Sequence, residues 1–173
     1  MNRTSVIKPF VINTALAAVL LGLCVWLVLF AFVGSSAAPG QTPAEERAQE
    51  FSDIRRAARA ETLAFLTIDH TRMDELTDRV LAGATGSFKK EFKERLEFLK
   101  DTAASQEAFA EAHVAEVGLS EVDADSATAF VAASAKVRNK GTKDKVVNEP
   151  YPVRLTLVKE GNRWLVSQLE VVG

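Results

Sequence analysis

Two histidines, one tyrosine and a scatter of carboxylates are the side chains here whose types could do chemistry. A proton-transfer site needs a desolvated carboxylate facing a hydrogen-bond donor across a pocket. The acids to test in that role are Asp69, Glu111 and Glu116, with Tyr151 as the only phenol. Their spacing does not by itself bring them together. Asp69, His70 and Tyr151 are the candidate polar groups of a pocket, should the fold enclose one. His70 lies beside Asp69 at the expected end of a helix, where a histidine suits the C-terminal dipole. His113 falls in the same two-residue alternation as Ala115, Val117 and Leu119 and reads as a strand residue. There is no glycine-rich phosphate loop, no cysteine pair and no histidine pair at metal-binding spacing. The expectation is a non-catalytic protein without metal or cofactor.

Charge is the second source of candidate contacts. Lys136, Arg138, Lys140, Lys143 and Lys145 make one locally basic segment, opposed only by Asp144. It is suited to acidic headgroups or an acidic partner, or simply to a solvated hairpin tip whose lysines block edge-to-edge association. The formal net charge of −2 offers no basic field for nucleic acid.

The elements that would position these groups begin with an apolar run. Phe10 to Val33 spans about 24 residues without a charge, long enough for a transmembrane helix. A cleaved signal would have an apolar core of about 7–15 residues, and the only cysteine, Cys24, follows Leu23, where lipoprotein acylation needs a small residue. An uncleaved anchor is expected. Asn13 is its one amide, placed to contact a neighbouring membrane helix or to reach headgroups. Arg3 and Lys8 precede the run, and the next basic residue is Arg47, so residues 1–9 belong in the cytoplasm and residues beyond about 34 are exported. The expected location is the cytoplasmic membrane, with the C-terminal domain in the periplasm or cell-wall space. With Cys24 in the lipid segment, that domain is held by its core and not by disulfides.

Residues 34–42 are small and turn-prone, a flexible spacer. Thr42, Pro43 and Glu45 open a helix expected over 43–69, with Phe51, Ile54, Ala58, Phe65 and Ile68 on its buried stripe. Thr71 to Asp74 reads as the capping box of a short second helix carrying Met73, Leu76, Val80 and Leu81. Gly83 and Gly86 close it and open a third, with Phe88, Phe92, Leu96, Leu99 and Ala103 on one side. The period then changes to two. Four strands are expected, at 109–120, 126–139, 151–159 and 163–172, with a long polar loop after the second. Short connections make neighbours antiparallel, and the helices cover the face carrying Val153, Leu155 and Leu157. The predicted fold is α+β: an anchor followed, over 43–173, by a cone of three helices on a curved four-stranded sheet.

Three stretches carry a family resemblance: Ala57 to His70, the strand pair from His113 to Lys136, and the finish from Val153 to Val171. In the last, Gly161-Asn162 makes a tight hairpin before a strand that begins Arg163-Trp164. Together with the anchor they resemble the actinobacterial Mce-associated membrane proteins, single-pass proteins whose exported domain has the nuclear-transport-factor-two-like, or cystatin-like, cone. The family often has a tyrosine where this chain has Ile68-Asp69-His70. The resemblance implies an accessory role in assembling or stabilising an Mce-type importer of fatty acids or sterols, with the membrane, Mce proteins and their permeases as partners. Two alternatives are an assembly factor of a secretion or conjugation machine, and a cone that itself holds a lipid or steroid.

Overall fold

The structure is a computed structural model that describes residues 42–172. The expected anchor, with Asn13 and Cys24, and all of the spacer but Thr42 lie outside the described residues. Among the described residues no helix is long and apolar enough to cross a membrane.

Helix α1 runs Pro43–Leu66, opening on proline at its first position with Glu45 and Glu46 in the first turn, where carboxylates suit the dipole. Ile54, Ala58, Glu61, Thr62 and Leu66 form its buried stripe. The helix stops three residues short of the expected Asp69. Ile68–Asp69 forms a two-residue strand, β1, paired antiparallel with the first long strand through Ile68↔Ala110 and Asp69↔Phe109. The sheet therefore has five strands where four were expected. Two residues are too few to show a period, and the apolar Ile68 continued the helical one.

Asp69 then turns the chain: its Oδ1 accepts from the Thr71 backbone N–H at 3.0 Å and the Thr71 hydroxyl at 2.7 Å, an Asx-type turn. The expected capping box at Thr71 is not used; helix α2, Met73–Gly83, has Arg72 at its N-cap with no side-chain cap bond. Helix α3 follows at Gly86–Gln106. Gly86 has φ +54°, and a side chain there would meet Ser167 Cβ at 3.3 Å, so glycine answers both the backbone angle and the close approach. The Thr85 N–H bonds to the Val166 carbonyl at 2.8 Å, tying the α2–α3 joint to the last strand.

Strands β2 (Phe109–Val122), β3 (Ser126–Arg138), β4 (Val147–Glu160) and β5 (Arg163–Val171) complete an antiparallel sheet in the order β1-β2-β3-β4-β5. β4 starts four residues before the expected Tyr151, which shortens the polar loop to a 3-10 turn at Lys140–Thr142 and the residues after it. Pro150 and Pro152 pair with Ser134 and Ala132 of β3, whereas pairing of β4 with β5 begins only at Val153. The missing proline N–H groups thus fall on the edge beyond the β5 ladder, where the Val172 N–H still donates to the Pro152 carbonyl at 2.8 Å. Bulges at Val114/Glu116 and Leu119/Val122 bend β2, and one at Thr156/Leu157 bends the β4–β5 pair, giving the sheet its curvature. On the concave face, Val117, Val131, Val153, Leu155, Leu157 and Val166 pack against Ile54, Ala58, Leu66, Val80 and Phe88. Trp164 is buried in the same core, with the Lys159 ammonium 5.5 Å from its ring centroid.

Candidate functional site

The core does not fill the cone to its end. Beyond Leu66 and Val80 the helices and the sheet enclose a cavity of about 350 Å³, within the range of about 300–1,000 Å³ typical of small-molecule sites. Phe65, Leu66, Leu76, Val80 and Phe92 form its apolar depth. Phe65, Phe88 and Phe92 stack around one another with centroids 5.9–6.4 Å apart, fixing that wall. The cavity exists because the side chains meeting here are small. Ala64 of α1, Ala103 of α3, Ala108, Ala110 of β2 and Ala135 of β3 all line it. Its polar lining is uncharged: Thr67, Thr77, Thr102, Gln106, Asn139 and Tyr151.

The predicted site residues divide around this cavity. Tyr151 lines it. Asp69 and His70 do not: Asp69 is occupied by Thr71 and by Arg72 Nε at 3.2 Å. Those hydrogen bonds, with the Arg72 charge, hold its carboxyl below the usual range. The His70 N–H donates to the Ala108 carbonyl at 3.1 Å. Glu111, opposite Lys136, and Glu116, which accepts from the Val117 N–H at 3.1 Å, are both exposed. The three candidate acids and Tyr151 are therefore not brought together. His113 corrects the expected alternation. The Val114/Glu116 bulge shifts the phase of β2, so Val117 is buried while His113 is exposed opposite Ser134. Among the described residues, no group of three or more His, Cys, Asp or Glu side chains is placed to hold a metal ion.

The basic segment also divides. Arg138 stacks its guanidinium 5.7 Å from the centroid of Phe109, a cavity-lining residue. Lys140 reaches the Ser105 carbonyl and Glu107 Oε1, both at 3.0 Å; this pairing lowers the Glu107 pKa. Asn139 lines the cavity while closing a reciprocal cap with Thr142. Arg138 and Lys140 thus stand at the cavity mouth. Lys143 and Lys145 lie exposed on the turn beyond, and Lys136 projects from the outer sheet face across from Glu111.

Sequence reasoning missed Glu61. Its side chain is 3 % exposed, and Oε1 has no hydrogen-bond partner. Oε2 lies against Gly83, 1.8 Å from where a Cβ would stand. Burial pushes its pKa up to about 8, with Lys89 pulling more weakly the other way. Glu61 lines a groove along the α1–α2 seam with Arg79 and Arg163; Ala64, Thr67 and Leu76 face both this groove and the cavity. The signal was positional, since residue 61 continues the stripe of Ile54 and Ala58 at helical spacing.

Three helices on a bulged antiparallel sheet, open at one end, define a class of α+β cones in which solved structures of similar fold are found. An IcmL-like type IV secretion system protein from Legionella pneumophila superposes with a TM-score of 0.56 at 14% identity, covering 70% of this chain and 91% of that one. The periplasmic domain of DotI gives 0.56 at 10% identity, covering 79% and 99%. CagV, a VirB8 homologue from Helicobacter pylori strain 26695, gives 0.56 at 9% identity, covering 70% and 97%. At these identities the likeness is one of fold alone. By sequence, the chain belongs to the family described as uncharacterized protein Rv1363c/MT1408-like, which matches residues 11–173. The uncharacterized protein Rv1363c of Mycobacterium tuberculosis (strain H37Rv) is 25% identical over 130 residues. That match covers 75% of this chain and 49% of Rv1363c, so the chain spans about half the length of this curated relative.

Proposed function

We propose that this protein is a membrane-anchored, non-catalytic accessory subunit that helps assemble a multi-protein transport complex of the cell envelope. The observation that carries this reading is the fold match: the cone superposes on 91% and 97% of two type IV secretion system proteins, and on 99% of the periplasmic domain of DotI, so the whole domain is shared. The apolar run Phe10 to Val33 supports tethering, with the cone on the exported side. The particular machine proposed is an Mce-type lipid importer, on the resemblance of Ala57 to His70 and Val153 to Val171 to Mce-associated proteins. The second reading, a secretion-machine assembly factor, is favoured by the same superpositions.

A mild-detergent pull-down of the full-length chain from its native membrane, with mass spectrometry of what co-purifies, tests both readings. Mce proteins and their permeases are the expected catch. Secretion ATPases and channel subunits would transfer the role to the second reading. Recovery of the chain alone, under conditions that keep other envelope complexes intact, would overturn the accessory role.

A further inference from the structure

We infer that the cone cavity is a binding site for an uncharged lipid: an aliphatic or alicyclic body with a hydroxyl or carbonyl group at its outer end. The inference goes beyond the accessory role and stands on the cavity alone.

The depth of the site is apolar and its shape is fixed. Phe65 and Phe92 are braced by Phe88, and Leu76 and Val80 are at most 3% exposed. An engineered apolar cavity of about 150 Å³ in another protein already takes up benzene; this one measures about 350 Å³. Left to water, such a wall forgoes the transfer free energy that an apolar occupant recovers.

The head group is selected by what lines the cavity. No lining residue carries a charge, so a carboxylate drawn inside would lose its hydration without a counter-charge. The cations at the mouth already face an acid: Lys140 is paired with Glu107, and Arg138, stacked on Phe109, also acts on Glu107. A hydroxyl or carbonyl does find a partner. Tyr151 lines the cavity, and among the described residues its hydroxyl has no hydrogen-bond partner, which leaves a half-buried donor available to a ligand oxygen. Phe109, 38% exposed, and Val147, 37% exposed, lie at the same end of the sheet as this opening and suit the passage of an apolar molecule.

The experiment photolabels the full-length chain in nanodiscs with a diazirine-bearing hexadecanol and, separately, with the diazirine-bearing hexadecanoate. Labelled peptides are then mapped. The alcohol is expected on peptides holding Phe65, Leu76 and Tyr151. Ala135→Phe, which fills the cavity from the sheet, should cut that labelling about tenfold. Ala103→Phe fills it from α3, so misfolding of one variant, read by circular dichroism, leaves the other as the test. Tyr151→Phe should lower alcohol labelling about fivefold, as expected for one hydrogen bond. Labelling unchanged in a folded cavity-filling variant, or confined to surface peptides, would overturn the site. Hexadecanoate labelling the cavity as well as the alcohol does would overturn the uncharged head group.

Discussion

The two ends of the concave sheet face are built from the same strands and packed in opposite ways. At the closed end, Ala127 and Ala129 of β3 stand beside Leu157 and Leu155 of β4, Val166 of β5 stands beside Leu157, and these pack in one core with Ile54 and Ala58 of α1, which have no exposure. At the open end, Ala135 stands between Ala112 and Glu149, and Ala103, Ala108 and Ala110 face the same space. Alanine occurs at both ends, so its presence does not decide whether a core fills. What decides it is the size of the residue opposite. At the closed end leucine stands beside alanine and the packing is close; at the open end alanines face alanines, and Glu149 beside Ala135 is exposed and leaves the space unfilled.

The sharpest way to break this comparison is to truncate one leucine at each end. Leu155→Ala, at a fully buried position, should cost about 4 kcal/mol, because the closed end cannot collapse around the hole. Leu76→Ala, on the cavity wall and 3% exposed, should cost about 2 kcal/mol, near the low end for such changes, because its side chain already borders empty space. Denaturant unfolding of both variants measures the difference. Equal costs would mean that the two ends are packed alike.

Glu61 lies on the seam bordering the open end and brings pH into the comparison. Its pKa in the folded chain is pushed up to about 8 from the ordinary 4.5 of a glutamate. Between those values the unfolded chain has released the proton and the folded chain still holds it, so stability falls as pH rises. The loss is absent below about pH 4.5 and complete above about pH 8. Arg79 and Arg163 line the groove with Glu61, and Lys89 acts on it from α3. Asp69 and Glu107 have lowered pKa values, so their contribution is lost only at more acidic pH. Glu61→Gln removes the titration and should flatten thermal stability between pH 5 and 9. At pH 9 the variant should exceed the wild type by on the order of 2 kcal/mol, once relaxation and water entry are allowed for. Parallel pH curves would show that Glu61 does not hold its proton.

Much of the closed end could be read from the sequence, and little of the open end could. The stripe of Ile54 and Ala58, the alternation of Val153, Leu155 and Leu157, and the Gly161-Asn162 hairpin are local patterns, and each forms the expected element. Gly161 takes φ +61° in that hairpin, as a two-residue turn opening on glycine requires. The cavity comes from alanines at 64, 103, 108, 110 and 135, far apart in sequence and each unremarkable where it stands. Only the three-dimensional register sets them opposite one another. The face of His113 was lost for a related reason, since a bulge in β2 reverses the alternation without marking the sequence. Of the polar candidates, Tyr151 is the one that lines the cavity. The buried acid went unnoticed because an acidic residue on a charged helix reads as solvent-facing until its position on the stripe is counted.

The smallest effect is the most diagnostic, because the comparison predicts opposite signs for one substitution at two positions of β3. Ala129 is fully buried against Leu155, so Ala129→Leu must force side chains off their rotamers and should cost about 2 kcal/mol. Ala135 is 2% exposed yet lines the cavity, so Ala135→Leu adds apolar atoms to space already present and should gain about 1 kcal/mol. The same leucine should weaken photolabelling by the alcohol, since ligand and side chain compete for one volume. Thermal melts of the two variants, each with and without the hexadecanol probe, measure both effects. A loss of stability at Ala135 equal to that at Ala129 would mean that the open end is already filled by protein, and the distinction between the two ends would fall with it.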